Sequence, residues 1–143
     1  MASVIGTRLM QQCTRMIIPR SICAMNGTVL RRSFATTDKL IYIKDDDTYH
    51  TLKNGDKPSI MNFSASWCGP CKRMAPQFSA LSNAYDQVNF VKIDVDASPN
   101  LATEERITSV PTYKLYKNNK LISQFAGADL TQLKVMIDQA KSA

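Results

Sequence analysis

From residue 40 onward the apolar positions switch repeatedly between a period near two and a period near 3.6. Leu40-Ile41-Tyr42-Ile43 reads as a short first strand. Residues 44–53 are polar with a few apolar anchors, a short helix that Asp45 can cap, and Asn54-Gly55-Asp56 forms a turn. Residues 58–65 read as a buried strand around Ile60, Met61 and Phe63, with Pro58 tolerable only at its first position. Beyond Cys68, the residues Met74, Phe78, Leu81 and Tyr85 recur at spacings of four, three and four, one buried helix face, with Pro76 expected to kink it. Residues 88–95 alternate as a strand with Val91, Ile93 and Val95 on one side.

Ser98 and Pro99 then open another helix, Ser98 as its cap and Pro99 in its first turn. Residues 112–116 and 121–125 read as two strands, and the four residues 117–120 between them suit an antiparallel hairpin. Asp129 or Thr131 caps a last helix with Leu130, Leu133, Ile137 and Ala140 inward. The order β-α-β-α-β-α-β-β-α predicts an α/β fold of three layers, α/β/α, around a mixed central sheet. No internal repeat or low-complexity tract interrupts it.

The first 37 residues follow neither pattern. They hold five arginines (Arg8, Arg15, Arg20, Arg31, Arg32), no lysine and no acid. On a helical wheel over 4–17, Ile5, Leu9, Cys13 and Met16 share one face, while Arg8 and Arg15 lie together away from it, and Pro19 stops the helix. An acid-free, arginine-bearing amphipathic start is the composition of an organelle transit peptide. A secretory signal would need an apolar segment that arginines break here. Serine is sparse, which favours a mitochondrial matrix address over a plastid one; a plain basic tail is the remaining alternative. Arg32-Ser33-Phe34-Ala35 resembles a matrix-protease cleavage pattern, dividing the chain into a removable leader, 1–34, and a domain, 35–143.

The leader changes the charge picture. The whole chain of 143 residues carries a formal charge of +6. Beyond the leader, thirteen basic residues face twelve acidic ones, so the basic balance gives no support for a nucleic-acid partner. No apolar run is long enough to span a bilayer as a helix, and no membrane partner is expected.

The leader also changes the cysteine arithmetic. Cys13 and Cys23 leave with it, and one pair remains, Cys68 and Cys71, two residues apart. Cys68 follows a buried strand and starts a helix, where unpaired N–H groups and a partial positive charge stabilise a thiolate. The thiolate is the species that attacks a disulfide. Cys71 lies one turn further on the same side and can displace Cys68 from a mixed disulfide. Gly69 permits close approach, and Pro70, early in the helix, has no N–H to leave unpaired.

Trp67-Cys68-Gly69-Pro70-Cys71-Lys72 resembles the active site of the thioredoxin family. The resemblance runs over residues 38–141 and includes Phe63, Pro76, Lys92, Asp96, Val110-Pro111-Thr112 and Gly127. It implies the thioredoxin fold, a cis peptide before Pro111 facing the dithiol, and a docking surface built from Trp67, Gly69, Pro70, Val110, Pro111, Gly127 and Ala128, with Thr112 completing the proline motif. It implies a protein-disulfide reductase and electron carrier, working as a monomer in cell redox homeostasis with no bound cofactor beyond the Cys68–Cys71 pair. An NADPH-dependent thioredoxin reductase would supply electrons, and peroxiredoxins and methionine sulfoxide reductases are the expected clients. Three positions depart from the family pattern. Asn62 stands where a buried aspartate serves as base for the second cysteine, so Lys92, its usual partner, is left without that carboxylate. Ser64 stands where tryptophan is common, and Asn119 where the hairpin usually has glycine.

Other chemistries fit less well. A structural zinc site needs four ligands, and the domain offers two cysteines and His50, so no metal is expected. Haem attachment would need histidine, not Lys72, after Cys71. A static disulfide is disfavoured in a reducing compartment. Asp45-Asp46-Asp47 reads as a solvated helix start, Lys117 and Lys120 as solvated turn charges, and Trp67 as surface contact in preference to core. Two functional alternatives remain: a binding module or chaperone subunit with incidental redox activity, and an oxidase or isomerase, against which the Gly-Pro pair between the cysteines argues.

Overall fold

The computed structural model describes residues 39–143; the leader helix over 4–17, the cleavage pattern, Cys13 and Cys23 lie outside the described residues. Nine elements follow one another: β1 (Ile41–Tyr42), α1 (Asp46–Asn54), β2 (Ser59–Ser64), α2 (Gly69–Ala84), β3 (Asn89–Asp94), α3 (Pro99–Glu104), β4 (Thr112–Lys117), β5 (Lys120–Ala126) and α4 (Leu130–Ser142). The strands lie in the order β1-β3-β2-β4-β5. β3 runs parallel to β1 and β2, and β4 runs antiparallel to β2 and β5. The sheet is therefore mixed, and β2 is its centre, buried along its whole length.

Burial on both faces explains the near-continuous apolar character of β2. One face carries Ile60, Phe90, Tyr113 and Leu115 against Met74 and Phe78 of α2 and Leu133, Met136 and Ile137 of α4. The other carries Met61, Phe63, Val91, Ile93 and Tyr116 against Tyr49 of α1 and Leu101 of α3. Each large apolar side chain withdrawn from water in these layers contributes about 1.5–3 kcal/mol before the entropy of ordering is set against it. The α/β/α expectation holds. Leu130 is half-buried at the rim of the first layer, and Met136 joins it.

The helix starts follow their capping chemistry. The Asp45 carboxylate accepts the N–H of Thr48 at 2.7 Å, and Asp129 accepts those of Thr131 and Gln132 at 2.8 and 3.2 Å. Two sequence expectations need correction. Ser98 holds the N-cap position of α3 but makes no side-chain cap bond, so that short helix begins on Pro99 alone. The hairpin loop is two residues, not four: Lys117 and Lys120 pair in the ladder, and Asn118 and Asn119, with φ of 51° and 61°, make the turn. Asparagine tolerates that left-handed backbone, which a two-residue turn demands at both positions. The turn then docks on the end of α1: Asn118 N–H donates to the carbonyl of Gly55 at 3.0 Å and Asn119 N–H to that of Lys53 at 2.9 Å.

Candidate active site

β2 emerges from the sheet at Ser64, and five residues later α2 begins. Cys68 is the N-cap of α2, and its Sγ accepts the N–H of Cys71 at 3.1 Å. A sulfur thus occupies the place of a capping oxygen, at the positive end of a sixteen-residue helix. Pro70 falls in the first turn, where no N–H is needed. Cys68 and Cys71 are joined as a disulfide, with an S–S distance of 2.12 Å and Cα atoms 5.3 Å apart.

Both cysteines are buried, packed with Ala65 and against Val95 and Val110, while Trp67, Gly69 and Pro70 beside them are exposed. Trp67 is 68 % exposed, a large aromatic surface held in place by a hydrogen bond from its Nε1 to the Asp96 carboxylate at 2.9 Å. An added Cβ at Gly69 would meet only the Arg73 guanidinium, at 3.9 Å. Nothing inside the chain demands glycine there. Lys72 is exposed.

The Val110–Pro111 peptide bond is cis. The carbonyl oxygen of Val110 lies 3.7 Å from Cys68 Sγ. A disulfide sulfur has no hydrogen to donate, so this is a packing contact in the oxidised state. The carbonyl of Pro111 accepts the N–H of Gly127 at 2.8 Å, and Gly127 has φ of 112°. Val110 is thereby brought to the dithiol from the far half of the chain, with Pro111 next to it in sequence, Gly127 bonded to Pro111, and Ala128 exposed. Thr112 is buried and turns its hydroxyl to the carbonyl of Ser109 at 2.7 Å; it fastens the loop from within.

Behind Cys71 lies a cavity of about 300 Å³ whose lining includes Asn62, Ser64, Lys72, Lys92 and Asp94. Asn62 is buried, and its Oδ1 has no hydrogen-bond partner. Lys92 sits next to it in the parallel ladder and holds its Nζ 5.8 Å from the centre of the Tyr42 ring. His50, on α1, faces Glu104 at 3.6 Å. Among the described residues no group of three or more His, Cys, Asp or Glu side chains could hold a metal ion.

Sequence reasoning missed Glu105. Its local sequence singles it out in no way, yet Glu105 is buried and ringed by Tyr49, Lys53, Lys114 and Tyr116. Burial pushes its carboxyl up, but the hydrogen bonds from Lys114, Lys53, Tyr116 and Tyr49 outweigh that and bring it down to about 2. Burial, followed by the Glu105 carboxylate, raises both phenols well above their ordinary value. The one signal available in the sequence was Lys114, a charge inside an otherwise apolar strand.

Comparison with known proteins places this constellation in context. The family model described as Thioredoxin matches residues 39–139. Thioredoxin-1 of Schizosaccharomyces pombe is 36% identical over 95 residues, covering 66% of this chain and 92% of that protein. "Thioredoxin-3, mitochondrial" of Saccharomyces cerevisiae is 46% identical over 82 residues, 57% of this chain and 64% of that one. Among solved structures, a chain from work on thiol resolution in yeast mitochondrial 1-Cys peroxiredoxin via glutathione and thioredoxin systems superposes with a TM-score of 0.66 at 36% identity, covering 70% of this chain and 94% of that one.

Proposed function

This chain belongs to the thioredoxin family and is a thiol–disulfide oxidoreductase, and from that premise we propose that Cys68 attacks disulfides in partner proteins and Cys71 resolves the product. In the reduced protein the Cys68 thiolate adds to one sulfur of the client disulfide, and the other client sulfur leaves as a thiolate that takes up a proton. The Cys71 thiol loses its proton and attacks Cys68 Sγ. The client's second sulfur departs, and the pair is left as the 68–71 disulfide. Two electrons have passed to the client, and a dithiol donor must return them.

The observation that carries this reading is the sulfur of Cys68 at the N-cap of α2, accepting an N–H that would stabilise the thiolate once the disulfide opens. The exposed indole of Trp67 and the loop at Val110 flank it and offer a client both apolar surface and free backbone groups. The electron pair resides on the two sulfurs, and no bound cofactor takes part. The electron source is an NADPH-dependent thioredoxin reductase, and peroxiredoxins and methionine sulfoxide reductases are the clients; the peroxiredoxin context of a similar solved chain supports that class. The acid-free leader and the likeness to a mitochondrial thioredoxin support a mitochondrial matrix location, with residues 1–34 removed. A binding module with incidental redox activity is not favoured.

The test is dithiothreitol-driven reduction of insulin. Activity in the native protein and its loss in Cys68→Ser are expected, with Cys71→Ser accumulating mixed disulfides with clients. A Cys68→Ser protein that still reduces insulin would exclude the reading.

A further inference from the structure

Glu105 is a buried acid that the exchange chemistry does not use, and its surroundings are unusually complete. Its Oε1 accepts from the Tyr49 hydroxyl at 2.5 Å and from Lys53 Nζ at 2.6 Å. Its Oε2 accepts from Lys114 Nζ at 2.8 Å and from the Tyr116 hydroxyl. Lys114 Nζ also donates to the main-chain carbonyl of Glu105 at 2.7 Å. The side chains of Glu105 and Lys114 are 4% and 9% exposed, so both bonds run through low-dielectric surroundings.

The position of this pair in the chain gives it a purpose. Glu105 is the C-cap of α3, and Lys114 is the third residue of β4. Between them runs the segment that carries Val110 and the cis Pro111, beside Cys68. That segment has few ties of its own. Arg106 and Ile107 bond back to α3, Thr112 bonds to Ser109, and Gly127 bonds to Pro111. Thr108 and Ser109 are exposed. The two Lys114 bonds close the segment at its base, and they bind backbone as well as side chain. Tyr49 and Lys53, one helical turn apart on α1, reach the same carboxylate from outside the segment.

We propose that the Glu105–Lys114 pair is a clamp that positions the Val110–Pro111 segment for docking of protein clients, making both positioning residues of the exchange reaction. The clamp rests on the reading of Val110 as part of the docking surface. It sets how well a polypeptide seats beside Cys68 and leaves the reactivity of the sulfur alone.

Lys114→Met is the variant to use. It cuts both bonds across the segment while Lys53, Tyr49 and Tyr116 keep the Glu105 carboxylate paired, so the fold is retained. Tyr49→Phe removes one bond from the same carboxylate outside the segment and serves as the control for mere loss of stability. The readouts are KM and kcat for insulin, the rate with a small aromatic disulfide, and the alkylation rate of Cys68 by iodoacetamide. Lys114→Met should raise KM for insulin about fivefold, the weight of one net hydrogen bond. The kcat, the small-disulfide rate and alkylation should stay unchanged, and Tyr49→Phe should move none of them. An unchanged KM in Lys114→Met, or an equal rise in Tyr49→Phe, overturns the clamp. Val110→Asp separates the two ideas: if it too leaves KM for insulin unchanged, the docking reading fails; if it raises KM and Lys114→Met does not, only the clamp fails. Should Lys114→Met not fold, Lys114→Leu, which likewise carries no donor, takes its place in the same test.

Discussion

Asn62 and Lys92 sit side by side on neighbouring parallel strands, and the amide oxygen of Asn62 is buried without a hydrogen-bond partner. Both line the cavity behind Cys71. An amide cannot accept the proton that Cys71 must lose to become a nucleophile. Asn62→Asp puts a proton acceptor at that spot. Resolution of the mixed disulfide by Cys71 should therefore be faster in Asn62→Asp than in the native protein at about pH 6 to 7. Stopped-flow decay of a trapped mixed disulfide measures this directly, and equal lifetimes in the two proteins would sink the idea.

Glu105 predicts acid sensitivity with a definite sign. Its folded carboxyl lies at about 2, below the ordinary 4.5. A depressed folded value means the stabilisation is complete above about 4.5 and drains away as pH falls toward about 2. The gap corresponds to stability on the order of 3 kcal/mol. Urea unfolding at a series of pH values should show the native protein losing its advantage over Glu105→Gln across that window. A constant difference between the two proteins from neutral pH down to the acid limit would contradict it.

Tyr113 carries a hydroxyl that the core does not use. The ring is fully buried and stacked on Phe125 at 4.8 Å, the hydroxyl has no partner, and burial pushes its pKa up to about 12. Tyr113→Phe removes the unpaired polar group and keeps the stack, so thermal and urea unfolding should show a gain of about 1 kcal/mol. The native protein should also lose stability relative to Tyr113→Phe as pH rises from 10 to about 12, where the unfolded phenol ionises and the folded one does not.

Gly127 tests backbone conformation apart from packing. An added Cβ would meet nothing within 4 Å, yet φ is 112°, which side-chain-bearing residues rarely adopt. Gly127→Ala should cost about 1–3 kcal/mol through backbone strain alone. Because Gly127 N–H holds the carbonyl of Pro111, KM for insulin should rise as well. An unfolding midpoint equal to that of the native protein would show that the strain is absent.

The elements were legible because each announces itself locally: period two in β3, spacings of three and four in α2, and caps at Asp45 and Asp129. Cys68 and Cys71 were legible for the same reason, since their spacing alone puts them one turn apart. What escaped was long-range and polar. Glu105 meets Tyr49 and Lys53 from fifty residues away, and no window of sequence distinguishes it from its solvated neighbour Glu104. The hairpin was read two residues too long because Lys117 and Lys120 look like turn residues until the ladder pairs them. Thr112 was grouped with the docking residues through its motif, and only the folded chain shows its hydroxyl turned inward.

The bonds from Asn118 and Asn119 to the end of α1 have a mechanical consequence. β4 runs from Thr112, two residues beyond the Val110 that packs on Cys68, to Lys117 at the turn, a span of about 17 Å. The antiparallel part of the sheet is thus latched to the first helix at the pole remote from the chemistry. A polypeptide that seats beside Cys68 therefore presses on a strand whose far end is already tied down.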